Sequence, residues 1–271
     1  MSVFNASRLL GKTVLVTGAS AGIGAATAIL FAKAGSNVIL AARRTDALKT
    51  VTEACVAAHK EAGVQGGGKF AAVQLDVSDR KQIASFFERV PEDLKKVDIL
   101  VNNAGFVLGV DRVGNLAEDE IESMFSVNVL GLIAMTQLLV KGEISAAEEF
   151  TLLIAKHVAG REPYVGGSIY CATKHAVRAF TGSLLREVVD TNIRVTEIQP
   201  GMVETEFSVV RFRGDKSAAD KVYEGIQPLV AEDIAEEIVW AASRPPHVNI
   251  AEVFVLPVNQ ASPTISYRGA K

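Results

Sequence analysis

The glycine-rich stretch Thr-Gly-Ala-Ser-Ala-Gly-Ile-Gly, residues 17–24, constrains the fold of this chain more than any other feature. It follows the apolar run 13–17, which predicts a strand, and it opens a stretch of helical length. Gly18 allows a tight turn off the strand, Gly22 lets backbone approach a diphosphate, and Gly24 permits close packing of helix on strand. The free N–H groups at the start of that helix favour bound phosphate. Glycines also close ordinary turns, so the position between strand and helix is what predicts a dinucleotide-binding turn.

Short β-branched runs alternate with helical stretches along the whole chain, including predicted helices at 22–35 and 166–189. Continuous apolar strands flanked by amphipathic helices predict a parallel sheet covered on both faces, and right-handed crossovers give a doubly wound Rossmann fold. Because no Pro/Gly/Ser linker and no internal repeat divides the sequence, we expect one α/β domain over residues 1–271. The seven predicted strands cover residues 13–17, 37–41, 69–75, 97–102, 150–155, 193–198 and 252–257.

Composition narrows the classes of function. Hydrophobic residues make up 49% and charged residues 22% of the chain, so a packed core is expected rather than disorder. A net charge of −3 with mixed signs argues against a nucleic-acid partner. The apolar runs are short and interrupted and the first residues lack a signal-peptide pattern, so we expect no membrane span and a cytoplasmic location. Cys55 and Cys171 have neither disulfide nor metal-ligand spacing, which predicts reduced thiols and no metal site.

The end of the second predicted strand bears on the choice between NAD and NADP. An NAD site would place a carboxylate there to bind the adenosine ribose, but this chain has Arg43 and Arg44. Arginine matches phosphate geometry with two hydrogen bonds, so NADP is favoured, with ordinary exposed basic residues as the alternative. Asp76, after the third strand, is a candidate contact to the adenine edge. It could equally cap the next helix, although Ser78 is the better N-cap candidate.

Tyr170 and Lys174 are spaced four residues apart in a predicted helix, so their side chains share one face. A phenol ionises near pH 10, too high for a base at neutral pH, and a nearby ammonium group favours its ionised form. The pair therefore predicts proton transfer to and from an alcohol or carbonyl. An amphipathic helix with an extended surface lysine is the alternative for this motif taken alone.

Residues 202–230 contain no convincing strand, and Arg211 and Arg213 lie among aromatic residues there. A long insertion after a strand of such a fold is usually a lid or a substrate loop. We use the name lid segment for residues 202–230.

With these motifs in place, the chain resembles the short-chain dehydrogenase/reductase family over nearly its whole length. The motifs are TGASAGIG at 17–24, NNAG at 102–105, VN ending at Asn128, YCATK at 170–174 and PGMVET at 200–205. Further stretches, including GREPY at 160–164 and NQASP at 259–263, are similar to the NADP-dependent 3-hydroxy acid dehydrogenases, which act on serine or allo-threonine. Members of that subgroup are typically cytoplasmic tetramers, so the resemblance implies a homotetramer.

The resemblance also implies roles for individual residues. Tyr170 exchanges the substrate proton while hydride passes between the substrate carbon and the nicotinamide, Lys174 binds the nicotinamide ribose, and Asn128 holds a water that links Lys174 to solvent. Arg161 is the first candidate for the substrate carboxylate, followed by Arg211 and Arg213. The cofactor-binding residues that the motifs and the resemblance imply are Gly18, Ser20, Gly22, Ile23, Gly24, Arg43, Arg44, Asp76, Asn103, Ala104, Gly105, Tyr170, Lys174, Pro200, Gly201, Val203 and Thr205.

One position departs from the family. The family carries a serine thirteen residues before its tyrosine, whereas this chain has His157 there and Lys156 in place of the preceding glycine. Ser168 lies two residues before Tyr170 and would point to another side of the helix. A ring N–H of His157 could still donate to the substrate oxygen, but the ring is larger than a serine. We expect impaired chemistry of the family type, with a catalytically silent dinucleotide-binding protein and a carbonyl reductase for another substrate as alternatives.

Overall fold

The seven apolar runs form strands of one parallel sheet in the order β3-β2-β1-β4-β5-β6-β7. The structure, a computed structural model, describes residues 6–146, 149–155 and 157–269, so Lys156 lies outside the described residues. The strand order reverses between β1 and β4, which opens a crevice at the carboxyl ends of these strands, as in doubly wound folds. The strands are β1 Thr13–Thr17, β2 Asn37–Ala42, β3 Phe70–Gln74, β4 Ile99–Asn102, β5 Phe150–Ala155, β6 Ile193–Pro200 and β7 Glu252–Val255.

Strand bounds differ from the prediction by a few residues, for local reasons. The run predicted at 97–102 forms a strand only from Ile99. The Asp98 backbone still bonds Thr13 and Thr151, and its carboxylate accepts hydrogen bonds from Lys12 and from the backbone N–H of Thr13, 2.8 Å from each. The last strand ends at Val255, close to Pro257, which has no N–H to give to a sheet.

Nine helices are described, including the two that the sequence predicts most clearly. The helix predicted at 22–35 ends at Lys33, because Gly35 adopts a left-handed φ of +86° and turns the chain toward β2. The helices are α1 Gly22–Lys33, α2 Thr45–Ala62, α3 Arg80–Ala84, α4 Glu118–Phe125, α5 Leu132–Ala146, α6 Ser168–Glu187, α7 Glu206–Arg211, α8 Lys216–Lys221 and α9 Ala231–Ala242.

Alternate residues of each strand face the two helical layers. In β1, Leu15 packs in a cluster with Phe86 and Phe150, whereas Val14 packs with Phe31 in the cluster on the opposite face. All these side chains are fully buried or nearly so. A sheet covered on both faces leaves its strand ends and the loops after them as the places where polar side chains converge.

The helical run 118–141 corrects the expectation that the chain has no segment suited to a membrane. Its length and mean hydropathy are sufficient for a span, and half of its most apolar window is buried inside the fold. The polar residues that interrupt it are bonded within the protein: Asn128 to the backbone of Phe106, and Thr136 to Asn102. The run therefore has the features of a core helix of the Rossmann layer.

Candidate active site

A cavity of about 940 Å³ lies at the carboxyl ends of the central strands. Its walls come from the glycine turn, the loop after β4, the start of α6 and the lid segment. Most predicted site residues line it, while Gly24, Asn128, Arg161 and Arg213 do not. The predicted residues on its lining are Gly18, Ser20, Gly22, Ile23, Arg43, Arg44, Asp76, Asn103, Ala104, Gly105, His157, Tyr170, Lys174, Pro200, Gly201, Val203, Thr205 and Arg211.

The glycine turn is built as its spacing predicts. Gly18 and Gly22 have left-handed φ angles of +67° and +52°, which side chains other than glycine rarely adopt. A Cβ at Gly24 would overlap the carbonyl oxygen of Gly18, so this glycine acts through packing behind the turn rather than through the cavity. Thr205 caps α7 by accepting the N–H of Phe207, and its side chain lies against Gly22. The turn and the lid segment therefore adjoin.

The NNAG loop after β4 is tied to the glycine turn. Asn103 donates its side-chain amide to the carbonyl oxygens of Thr17 and Gly18, at 3.0 and 3.3 Å. Asn102 is buried and donates to the Thr136 hydroxyl. Its position inside the strand turns it to the helical layer rather than to the loop.

Arg44 reaches back to the glycine turn. Its Nε and Nη2 each lie 3.3 Å from the Ser20 hydroxyl, and Nη2 also pairs with the Glu206 carboxylate at 3.1 Å. Arg43 lines the same part of the cavity. Two guanidinium groups and a hydroxyl beside a glycine turn form a donor set that fits a phosphate group.

Asp76 shapes its own loop. Its Oδ1 accepts hydrogen bonds from the N–H and the hydroxyl of Ser78, at 2.9 and 2.7 Å. The prediction that Ser78 caps the next helix is wrong, because Asp79 is the N-cap and accepts the N–H groups of Lys81 and Gln82. Asp76 also lines the cavity.

Tyr170 lies between two aromatic rings at the inner end of the cavity. Its ring meets those of His157 and Phe207 edge to face, with centroid distances of 5.6 and 5.7 Å. The ammonium of Lys174 is 5.5 Å from the centroid of the Tyr170 ring. The i, i+4 spacing thus brings phenol and ammonium together in one buried corner, as predicted.

The ionisation of Tyr170 differs from the sequence expectation. Burial raises its pKa well above the ordinary value, the neighbouring Tyr164 adds to the rise, and the Arg211 guanidinium acts in the opposite direction. The lowered pKa expected from the sequence depends on the charge of the nicotinamide as well as on Lys174, and the raised pKa is that of the protein alone. The free-energy cost of desolvating the phenolate exceeds the stabilisation that the nearby cations give it.

His157 has a defined protonation state. Burial lowers its pKa to about 3, and the positive charges of Lys174 and Arg211 contribute to the decrease. The neutral ring accepts the backbone N–H of Ala159 at Nδ1, 3.1 Å away, so its proton is on Nε2. Ser168, as expected, does not line this cavity.

Asn128 lies in a π-helical turn, Ser126–Gly131, between α4 and α5. Such turns are frequently found at functional sites. Its Oδ1 accepts the N–H of Phe106 at 2.9 Å, and its Nδ2 donates to the Phe106 carbonyl and the Thr173 hydroxyl. The side chain therefore fixes the loop after β4 against α6.

Gly105 keeps space open next to these groups. A Cβ there would lie 3.2 Å from Oδ1 of Asn128 and 3.5 Å from Nζ of Lys174. An amide oxygen and an ammonium group facing one gap fit a hydroxylated ring such as a ribose.

Arg161 and Arg213 do not reach the cavity. Arg161 donates to Gln199 and pairs with Glu252, and its guanidinium lies over the Phe254 ring at 4.7 Å. This contradicts its ranking as the first candidate for a substrate carboxylate, since the edge of the sheet offers it carboxylate and aromatic partners that the sequence does not reveal.

Arg213 is held outside the cavity by two acidic residues, which contradicts its assignment to the substrate. It pairs with Asp111 and Glu120, each at 2.9 Å. Its backbone has a φ of +52°, at the turn that ends α7. Arg213 thus fastens the lid segment to the loop before α4.

Of the three arginines considered for the substrate carboxylate, Arg211 is the one that lines the cavity. Its Nη1 donates to the Tyr164 hydroxyl and its Nη2 to the Gly166 carbonyl, both at 3.1 Å. Its Nε is buried and has no hydrogen-bond partner among the described residues. Sequence reasoning ranked Arg211 second and missed Tyr164, although Tyr164 ends the GREPY stretch that carried part of the resemblance.

Other cavity residues were also missed. Phe207 and Glu206 come from the lid segment, where the aromatic and charged residues were the available signal. Gln260 lies in the NQASP stretch, and its side-chain oxygen accepts the N–H of Met202. A C-terminal segment of the chain therefore completes the wall after β6.

Comparisons with known proteins agree with this geometry. The family model for short chain dehydrogenases matches residues 12–215. The chain is 44% identical over 263 residues to the NADP-dependent 3-hydroxy acid dehydrogenase of Schizosaccharomyces pombe, covering 97% of this chain and 98% of that protein. It is 35% identical over 252 residues to the serine 3-dehydrogenase of Agrobacterium fabrum, covering 93% and 96%. Among solved structures, the closed form of serine dehydrogenase complexed with NADP+ matches with a TM-score of 0.85 and 35% identity, covering 96% of this chain and 98% of that one.

Proposed function

The chain belongs to the short-chain dehydrogenase family, and from that premise we propose that it transfers hydride between NADP and a small 3-hydroxy acid such as serine or allo-threonine. The observation that carries the proposal is the presence of Tyr170, Lys174 and Arg211 in one cavity with the glycine turn. The relatives named for NADP and for 3-hydroxy acids or serine support the choice of cofactor and substrate class. When bound, the cofactor supplies a nicotinamide carbon that accepts or donates hydride.

NADP is matched by residues at both ends of the cavity. Arg44, Arg43 and Ser20 would hold the 2′-phosphate, because guanidinium and hydroxyl donors suit a phosphate dianion. The glycine turn and the N-terminus of α1 would hold the diphosphate. Lys174 would bind the nicotinamide ribose in the gap beside Gly105.

Tyr170 would move the substrate proton at its hydroxyl oxygen. Because burial raises its pKa, the group is protonated at neutral pH and suited to give a proton to the oxygen formed on carbonyl reduction. Oxidation of the alcohol needs the phenolate, and lowering a pKa by three units takes about 4 kcal/mol. Lys174 and Arg211 are the cations that the cavity wall provides toward that stabilisation. Asn128 would hold the water that connects Lys174 with solvent.

Arg211 would bind the substrate carboxylate. Its buried Nε has no hydrogen-bond partner in the part of the chain that the structure describes, and a buried donor of this kind is stabilised by an anion that enters the cavity. Tyr164 holds the guanidinium from the other side, with ring and guanidinium 5.3 Å apart.

His157 would take the place of the family's serine as donor to the substrate oxygen. The proton on Nε2 makes the neutral ring a donor, and the ring lines the cavity. We retain the expectation that turnover is lower than with serine at this position, because the ring takes up more of the substrate space.

The test is a screen of the purified protein with NADP and NAD against serine, allo-threonine and other 3-hydroxy acids, and against simple ketones and aldehydes. The proposal requires NADP-dependent oxidation of at least one 3-hydroxy acid, and Tyr170→Phe should lower that activity by at least about a hundredfold. If the protein binds NADPH tightly but turns over no substrate, it is a catalytically silent dinucleotide-binding protein. If it turns over only ketones, its substrates are ketones rather than 3-hydroxy acids.

We also propose, by resemblance to the family, that the protein is a cytoplasmic homotetramer. Light scattering during size-exclusion chromatography would give the mass of the assembly. Fluorescence microscopy of the tagged protein in cells would give its location.

A further inference from the structure

The ion pair between Arg44 and Glu206 joins two walls of the cavity. Arg44 lies at the end of β2, and Glu206 is the first residue of α7, 162 positions later in the chain. Their side chains are 55% and 63% exposed, and both residues line the cavity. A contact from the lid segment thus occupies the guanidinium that we assign to the 2′-phosphate.

Helix α7 is fastened differently at its two ends. Beyond its C-terminal end, Arg213 pairs with both Asp111 and Glu120. At its N-terminal end, Glu206 contributes one exposed ion pair, while the Glu204 N–H is bonded to the Leu229 carbonyl and the Ser208 hydroxyl to that of Tyr223. Between these ends, α7 places Phe207 against the Tyr170 ring. A change at Glu206 therefore acts on the end of α7 that adjoins the proton-transfer tyrosine.

We propose that Glu206 is a cofactor-selectivity residue: its carboxylate competes with the 2′-phosphate of NADP for Arg44. An exposed ion pair is weak, whereas a guanidinium binds a phosphate dianion through two charge-assisted hydrogen bonds. Two anions at one guanidinium also repel each other. The phosphate therefore displaces the carboxylate, and Glu206 lowers the affinity for any ligand with a 2′-phosphate. This inference rests on the proposed NADP site.

The experiment measures equilibrium binding by calorimetry, with no catalytic turnover involved. The probes are 2′,5′-ADP, which carries the 2′-phosphate, and 5′-AMP, which lacks it. In Glu206→Gln we expect the Kd of 2′,5′-ADP to fall about two- to fivefold at low salt, the range that an exposed ion pair supports, and the Kd of 5′-AMP to stay unchanged. The gain should shrink at high salt, because exposed charges are screened.

Two further variants isolate the contact. Glu204→Gln removes the same charge from an exposed residue outside the cavity lining, and it should leave both Kd values unchanged. In an Arg44→Ala background, Glu206→Gln should have no effect on 2′,5′-ADP. A gain in Glu204→Gln equal to that in Glu206→Gln, or a gain that persists without Arg44, overturns the inference.

The outcomes separate this inference from the proposed function. If the unaltered protein binds 2′,5′-ADP no more tightly than 5′-AMP, Arg44 is not a phosphate ligand and the NADP proposal fails together with the inference. If it binds 2′,5′-ADP preferentially and Glu206→Gln leaves that affinity equal or weaker, the NADP site stands and the competition by Glu206 is refuted.

Discussion

The imidazole of His157 meets the phenol of Tyr170 edge to face, with ring centroids 5.6 Å apart. The family's serine, thirteen residues before the tyrosine, would put a hydroxyl at this position. Here a neutral ring holds a backbone N–H at Nδ1 and carries its proton on Nε2. The replacement therefore keeps a hydrogen-bond donor while it changes the shape of the substrate space.

The donor role predicts opposite effects for two substitutions of His157. His157→Phe keeps a ring but loses the donor, and we expect kcat to fall by about a hundred- to a thousandfold, as on removal of one oxyanion-type donor. His157→Ser restores the family's hydroxyl and should raise kcat above that of the unaltered protein. Initial-rate kinetics check both, with NADPH binding as the control for an intact cofactor site. Equal rates for His157→Phe and the unaltered protein contradict the donor role.

The ionisation of His157 predicts a change of stability with pH. Its pKa of about 3 in the folded protein lies below the ordinary 6.5, so the unfolded chain binds the extra proton between these values and folding is weakened as pH falls below 6.5. At pH 5 this amounts to about 2 kcal/mol of the free energy of unfolding.

Urea unfolding at pH 7.5 and pH 5 measures this difference. His157→Ser should lose less stability between the two pH values than the unaltered protein, by about the same 2 kcal/mol. Parallel losses in both proteins would show that His157 titrates normally in the folded state.

The raised pKa of Tyr170 predicts a pH profile that depends on direction. Oxidation of the alcohol requires the phenolate, so its rate should increase with pH from neutral into the alkaline range. Carbonyl reduction requires the phenol and should stay constant over the same range. Measurement of kcat/KM in both directions from pH 6 to 10 checks this, and Tyr170→Phe should lower both by about a hundred- to ten-thousandfold. Oxidation that is already maximal at pH 6 would contradict the prediction.

The roles of Arg211 and Arg161 can be distinguished by comparing how their substitution affects substrates with and without a carboxylate. Arg211→Met should lower kcat/KM for a 3-hydroxy acid by about ten- to a hundredfold, the value of a hydrogen bond to a charged group, with little change for an uncharged alcohol. Arg161→Met is the matched control, because Arg161 pairs with Glu252 away from the cavity. If Arg161→Met produces the larger loss, the carboxylate does not bind at Arg211.

The glycine turn gives a prediction about folding. A Cβ at Gly24 would overlap the carbonyl oxygen of Gly18 and the side-chain nitrogen of Asn103. Gly24→Ala should therefore lower stability and abolish cofactor binding. Gly182→Ala is the control, since that glycine also lacks a left-handed φ and a Cβ there would meet only the Arg186 side chain, at 3.7 Å. Thermal unfolding should show a larger loss for Gly24→Ala than for Gly182→Ala.

The features that could be predicted are those that depend on the pattern of residues within a short stretch of sequence. The seven strands, the turn at 17–24 and the shared helical face of Tyr170 and Lys174 follow from apolar periodicity, from glycine geometry and from the i, i+4 spacing. The three arginines could not be ranked in this way, because each is a basic residue near an aromatic one in the sequence. Their roles depend on which carboxylates lie within reach, and Glu252 and Glu120 are 91 and 93 positions from Arg161 and Arg213.

By itself, the sequence determined the parallel sheet, the glycine turn and the placement of Tyr170 and Lys174 on one helical face, since these depend on the order of neighbouring residue types. Only the tertiary structure decided the electrostatics: burial raised the pKa of Tyr170 where a nearby lysine was expected to lower it, and a backbone N–H fixed the proton of His157 on Nε2. The physical reason is that desolvation and long-range pairing depend on what surrounds a group in space, and distant segments of the chain supply those surroundings.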